Sequence, residues 1–154
     1  MNLVIRNFRP GDEDAFRQLN EEWIERYFRL EEKDRETLNN PRKILDAGGQ
    51  IVMALLGEER VGCCALIRIG AAEYEIAKMT VTDKYRGRGF GRAVLAGTID
   101  EARRMGAKLL YLETNSSLTP AITLYESLGF RHVPAELVVP SPYARADVFM
   151  KMSL

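Results

Sequence analysis

Between residues 86 and 92 the chain reads Arg-Gly-Arg-Gly-Phe-Gly-Arg. Glycines let a backbone turn tightly and aim successive N–H groups at one point, and such a row of amides attracts an anion. A helix opening at the same place adds its partial positive charge, and Arg86, Arg88 and Arg92 add full ones. The stretch therefore predicts a seat for a phosphate or pyrophosphate. It fails the dinucleotide fingerprint, because Arg92 stands where the third glycine of G-x-G-x-x-G belongs, and it fails the P-loop, because no Gly-Lys-Ser/Thr follows. Other reactive types are sparse. Cys63 and Cys64 are adjacent, a spacing that suits neither a normal bridge nor a CxxC motif, so they read as reduced filler in a strand. With one histidine, His132, no histidine-based metal cluster is expected, and no metal site is assigned.

The elements that must hold this loop fit one domain spanning residues 1–154. The chain has 22 Lys+Arg against 22 Asp+Glu and is 46% hydrophobic, which suits a globular core and not disorder. Apolar runs such as 51–56 are far too short for a membrane span, and no signal peptide is visible, so a cytoplasmic location is expected. The zero net charge conceals a segregation: residues 10–36 hold ten acids and five bases, whereas 78–108 hold eight bases and three acids.

Alternation predicts a first strand over 3–8, and Pro10-Gly11-Asp12 a turn with Asp12 as N-cap. A helix should follow with Phe16, Leu19, Trp23 and Tyr27 as its inner stripe. A shorter helix is expected over 35–47, broken or started by Pro41 and ended by Gly48-Gly49. Short β runs at 51–56, 61–69 and 74–81, joined by four-residue turns, imply an antiparallel meander. The glycine-arginine loop then leads into a helix over 89–104 and a buried strand over 109–113, a passage that is more naturally parallel. Thr119-Pro120 should cap a further helix ending at Gly129, before final strands near 130–133 and 147–152. The predicted order is β-α-α-β-β-β-α-β-α-β-β.

In this setting Arg86, Gly89 and Gly91 resemble the acetyl-CoA motif Gln/Arg-x-x-Gly-x-Gly/Ala of the GCN5-related N-acetyltransferases. The preceding Met79-Thr80-Val81 looks like the end of that family's fourth strand, and residues 124–130, Leu-Tyr-Glu-Ser-Leu-Gly-Phe, look like its second signature. The resemblance covers nearly all of the chain. It implies an α/β fold of the GNAT type: a central mixed, mostly antiparallel sheet with helices on both faces, splayed between strands 4 and 5. It further implies an enzyme that moves acetyl from acetyl-CoA, as co-substrate, to a primary amine of a small molecule or peptide by direct attack in a ternary complex. The backbone of Met79, Thr80 and Val81 would pair with the pantetheine arm, and Arg86, Gly87, Arg88, Gly89, Phe90, Gly91 and Arg92 would hold the pyrophosphate. Asn115, Ala121 and Tyr125 complete the cofactor-binding set. Many members carry Asn seven residues before the signature Tyr, where this chain has Leu118, and Asn115 stands in for it.

Expulsion of a thiolate needs a proton donor, and a phenol can supply one, which makes Tyr125 the candidate general acid. An amine with a pKa of about 10 must lose a proton before it attacks. Glu75, eleven residues before Arg86 as in histone-type members, is the candidate base, with Glu113 a lesser one. Tyr143-Ala144-Arg145 falls where the family builds a substrate wall or a dimer contact, which leaves a homodimer open. The resemblance also places Glu21, Glu22, Glu25, Glu31 and Glu32 beside the acceptor side of the slot, an acidic rim that would favour cationic amines. Two other classes fit less well: a CoA-sensing module of the same fold without turnover, against which Tyr125 argues, and a nucleic-acid binder, against which zero net charge and a single arginine-rich segment argue. Neither nucleic acid nor membrane is expected as a partner.

Overall fold

A computed structural model describes residues 2–154. The chain runs β1 (Leu3–Asn7), α1 (Glu13–Tyr27), α2 (Glu32–Leu38), α3 (Arg42–Asp46), β2 (Gln50–Leu56), β3 (Glu59–Gly70), β4 (Glu73–Val81), α4 (Phe90–Arg104), β5 (Leu109–Thr114), α5 (Thr119–Ser127), β6 (Arg131–His132) and β7 (Val148–Ser153). The strands form one sheet in the order β1-β2-β3-β4-β5-β7-β6, antiparallel except for the β4/β5 pair. That pair is joined through α4, the connection a parallel neighbour requires.

Each face of the sheet is buried under helices, because the central strands carry continuous apolar runs, 51–54 and 61–66, whose successive side chains point to opposite faces. On one face Leu66, Leu110, Leu112 and Met150 meet Val94, Leu95 and Ile99 of α4 and Tyr125 of α5. On the other, Ile51, Met53, Cys63 and Ala65 meet Phe16 and Ile24 of α1, Leu38 of α2 and Ile44 of α3. The adjacent cysteines thus part to opposite faces, both free and fully buried.

Four local expectations are corrected. Asp12 precedes α1 but makes no side-chain cap. Its fully buried carboxylate instead binds Arg6 and Arg60, each at 2.7 Å, and accepts the Arg9 N–H at 2.8 Å. Burial pushes this group up, but the two guanidinium bonds outweigh it and hold the pKa at about 2. Of the expected stripe on α1, Phe16 is buried and Leu19 and Trp23 pack half-buried against the core beside Asn20 and Ile24, but Tyr27, the last residue of the helix, is exposed. The helical segment expected over 35–47 begins earlier, at Glu32, while the expected break at Pro41 is present: Pro41 has no amide hydrogen to continue α2 and opens α3. Finally, α5 is preceded by Leu118, and Thr119-Pro120 form its first two positions instead of its cap.

Candidate active site

β4 and β5 stay paired only from Glu73/Leu109 to Ile76/Leu112. Beyond that point both strands continue without each other, and the β5-facing backbone of β4 from Ala77 onward is left free. The cause lies one strand away. Cys63 pairs with Thr80 but Ala65 with Ala77, so β4 carries extra chain opposite Cys64, and Lys78 takes a left-handed φ of 51°. A bulge of this kind bends a strand away from its neighbour. The resulting cleft of ≈ 510 Å³ is lined by Glu75, Ala77, Met79, Thr114, Asn115, Ala121 and Tyr125 on its strand and α5 sides, and by parts of α1, α2 and α3 at the other end.

The structure therefore brings together Glu75, Met79, Asn115, Ala121 and Tyr125. Thr80, Val81 and the 86–92 loop lie outside this lining and join it through α5: a Cβ on Gly91 would meet Leu124 at 4.0 Å, and Arg92 donates to Ser127 Oγ at 3.0 Å. Within the loop Gly87 and Gly89 adopt φ of 80° and 75°, a region that L side chains rarely occupy. A Cβ added at either would meet nothing within 4 Å, so the space above both is open. Ala93 N–H makes the first bond of α4, to Gly89 O. Among the described residues no acceptor takes the N–H of Gly87, Arg88, Gly89, Phe90, Gly91 or Arg92. Open space over free amides at a helix start is the arrangement an anion needs. The arginines are partly engaged: Arg86 binds Asp83 and the Tyr27 hydroxyl, and Arg88 stacks on Tyr85.

Tyr125 is buried, with its ring edge-on to Phe130 at 6.0 Å, and its hydroxyl has no protein partner among the described residues. Burial, followed by the nearby Cys64, raises its pKa above that of a free phenol, so the group stays protonated. Glu75 sits in register between Ile67 of β3 and Tyr111 of β5. Burial, and then repulsion from Glu113, lifts its pKa to about 7, with Lys78 pulling the other way. Glu113 is already committed, accepting from Tyr111 at 2.8 Å and Ser141 at 2.5 Å. Glu75 makes no such bond, which leaves it the freer carboxylate. Asn115 uses its side chain locally, donating to Arg145 O and accepting from Ser117 N–H, so it braces the loop at the cleft mouth.

Sequence reasoning missed a buried ionic knot beside Glu75. Asp34 of α2 accepts from Lys78 Nζ at 2.5 Å, from Arg145 at 2.7 and 2.8 Å, and from the Glu31 N–H at 2.9 Å. Lys78 also reaches the Tyr143 hydroxyl at 3.2 Å, and Arg145 binds Glu31. The knot ties α2 to the β4 bulge and to the loop before β7. The only sequence signal was a lysine inside an otherwise apolar strand end. Burial pushes the Asp34 pKa up, but Arg145 and Lys78 more than reverse it, to about 2. Its contribution is therefore complete above the unfolded carboxylate pKa and is lost as pH falls through about 2. Asp34→Asn would leave the nearly buried Lys78 ammonium without its carboxylate and Arg145 with Glu31 alone, and a loss of about 3 kcal/mol is expected in denaturant unfolding at pH 7.

The acidic rim is also corrected. Glu21, Glu22, Glu25, Glu31 and Glu32 are absent from the cleft lining, whose acids are Glu36, Glu75 and Glu113 against the bases Lys33, Lys43, Arg68, Lys78 and Arg145. The acids of α1 project from its outer side, and Glu31 is held by Arg145.

Comparison with known proteins agrees with this geometry. Residues 13–130 match the Acetyltransferase (GNAT) family. An uncharacterised protein of Mycobacterium leprae is 29% identical over 141 residues, 85% of this chain and 35% of that one. The [Ribosomal protein bS18]-alanine N-acetyltransferase of Salmonella typhimurium is 35% identical over 78 residues, 51% of this chain and 53% of that one. The chain thus spans between a third and about half the length of these curated relatives. Among solved structures, a GNAT-family acetyltransferase of Staphylococcus aureus superposes with a TM-score of 0.87 at 20% identity, covering 99% of both chains. A Salmonella typhimurium putative acetyltransferase with its cofactor acetyl-CoA superposes at 0.77 and 20% identity, covering 99% of this chain and 94% of that one. These last two are likenesses of fold.

Proposed function

The chain belongs to the acetyltransferase (GNAT) family, and on that premise we propose that it moves acetyl from acetyl-CoA to the primary amine of a small molecule or peptide. The observation that carries this is the cleft itself, where a splayed strand edge, a protonated Tyr125 and a Glu75 poised near neutrality open onto one space. Free amides at 87–92 would take the pyrophosphate, and the unpaired edge of β4 at Met79–Val81 would take the pantetheine arm. Glu75 would accept a proton from the incoming ammonium. The freed nitrogen then attacks the thioester carbon, the C–S bond breaks as the C–N bond forms, and Tyr125 protonates the departing thiolate. The second proton on nitrogen leaves with formation of the amide and restores the phenol.

Direct attack is favoured over an acetylated enzyme because both thiols are sealed in the core. Burial pushes the Cys64 thiol up to about 12 and Cys63 further, so neither offers a thiolate to the cleft. Initial rates at varied acetyl-CoA and amine should give intersecting double-reciprocal lines. Parallel lines with a trapped acetyl-enzyme would contradict the ternary complex.

Glu75 sets the pH response. The charged groups facing it are Glu113, which raises its pKa, and Lys78, which lowers it. kcat/KM should rise with pH through about 7 as Glu75 loses its proton, and Glu75→Gln should lose that limb with a rate loss of about 10²-fold. The same residue weakens the fold, since its folded pKa of about 7 exceeds the ordinary 4.5. Stability should fall as pH rises between those values, and Glu75→Gln should remove the fall. A variant with the wild-type pH profile would return the role of base to water or another group.

A further inference from the structure

The acceptor end of the cleft has apolar walls and a positive rim. Trp23, Ile24, Phe28, Ile44 and Ile67 supply the walls. Most of the charges there are already matched: Lys78 and Arg145 by Asp34, Lys33 by Glu36 at 3.8 Å, and Glu113 by its two hydroxyl donors. Lys43 and Arg68 are different. Both are exposed, and among the described residues neither has a carboxylate within ion-pair distance; Arg68 reaches only Gly70 O, at 3.4 Å. The fold also seats this arginine. Gly48 closes α3 with a φ of 92°, and a Cβ there would come within 3.1 Å of Arg68 Cδ and 3.3 Å of its guanidinium. The bare glycine lets the arginine lie across the turn that follows α3, the helix that carries Lys43.

Two cations that line one cleft with no counter-ion disfavour a cationic amine there, and an anion is favoured. Resting on the acetyl-transfer reading above, we propose that the acceptor is an amine with an apolar body and an anionic group, carboxylate or phosphate, which pairs with Lys43 and Arg68 while its nitrogen lies at Glu75. The apolar walls would hold the body, and the rim would favour substrates that carry a negative charge away from the reacting end. Because the two cations are exposed, the preference should be modest and salt-sensitive.

The test compares ω-aminoalkanoates, ω-aminoalkylphosphonates and uncharged alkylamines of matched chain length, with thiol release measured at saturating acetyl-CoA. In wild-type protein at low salt at least one anionic series should exceed the alkylamines about tenfold in kcat/KM, and the series that wins identifies the anion. In a Lys43→Gln/Arg68→Gln double variant, which alters only exposed side chains, the anionic-to-neutral ratio should collapse toward one. Equal rates for anionic and neutral amines, or a preference that survives the double variant, would overturn the inference while leaving acetyl transfer standing. Turnover of none of the amines would overturn both.

Discussion

Tyr125→Phe is expected to lower kcat about 10²-fold while acetyl-CoA binding changes little, because the hydroxyl is needed only as charge develops on sulfur. The ring fills a buried site against Phe130, and phenylalanine keeps that packing, so the variant should fold and leave the cleft in shape. The missing hydroxyl has no protein partner among the described residues, so its removal strands no buried donor or acceptor. A loss confined to kcat, with an unaltered dissociation constant for acetyl-CoA by calorimetry, identifies a proton donor. Near-normal turnover would reduce Tyr125 to a packing residue.

Gly89→Val should abolish measurable CoA binding. Gly89 sits in the left-handed region at the start of α4, where a β-branched residue is strained, and its Cα faces open space beside six free amides. The Cβ and its methyls would occupy the volume over which a pyrophosphate must approach. Gly89→Ala, smaller but still strained, should bind with an intermediate loss. The loop is exposed, so thermal unfolding should show a folded protein in both cases. A folded Gly89→Val protein with wild-type CoA affinity would place the pyrophosphate elsewhere.

Much of this site was legible in the chain because its parts are local. The 86–92 loop draws its properties from neighbours in sequence, and the strand at 109–114 and the helix behind the loop were bounded within a residue of where they lie. The parts that were hidden depend on residues far apart. Lys78 reads as a charge in a strand until the register with β3 shows the bulge that turns it inward, and its partner Asp34 lies 44 positions away in a segment that reads as a solvated acidic face. Arg145 meets the same carboxylate from 111 positions away. Asp12 departs from the expected cap for a related reason: a helix-start aspartate is ordinarily a cap, but Arg6 of β1 and Arg60 of β3 compete for it and win. Tyr27 follows the helical period of α1 and is still exposed, because it is the last residue of the helix, where its hydroxyl accepts from Arg86.

The account rests on one reaction, and the most direct measurement is amine-dependent thiol release from acetyl-CoA, followed in parallel with the mass of the amine product. The cleft predicts one acetylated amine for each thiol released, at a rate that depends on both substrates and falls about 10²-fold in Tyr125→Phe. Thiol release that ignores the amine, or tight CoA binding with no acetylated product across amines of every charge, would contradict it and leave a CoA-binding domain without transfer.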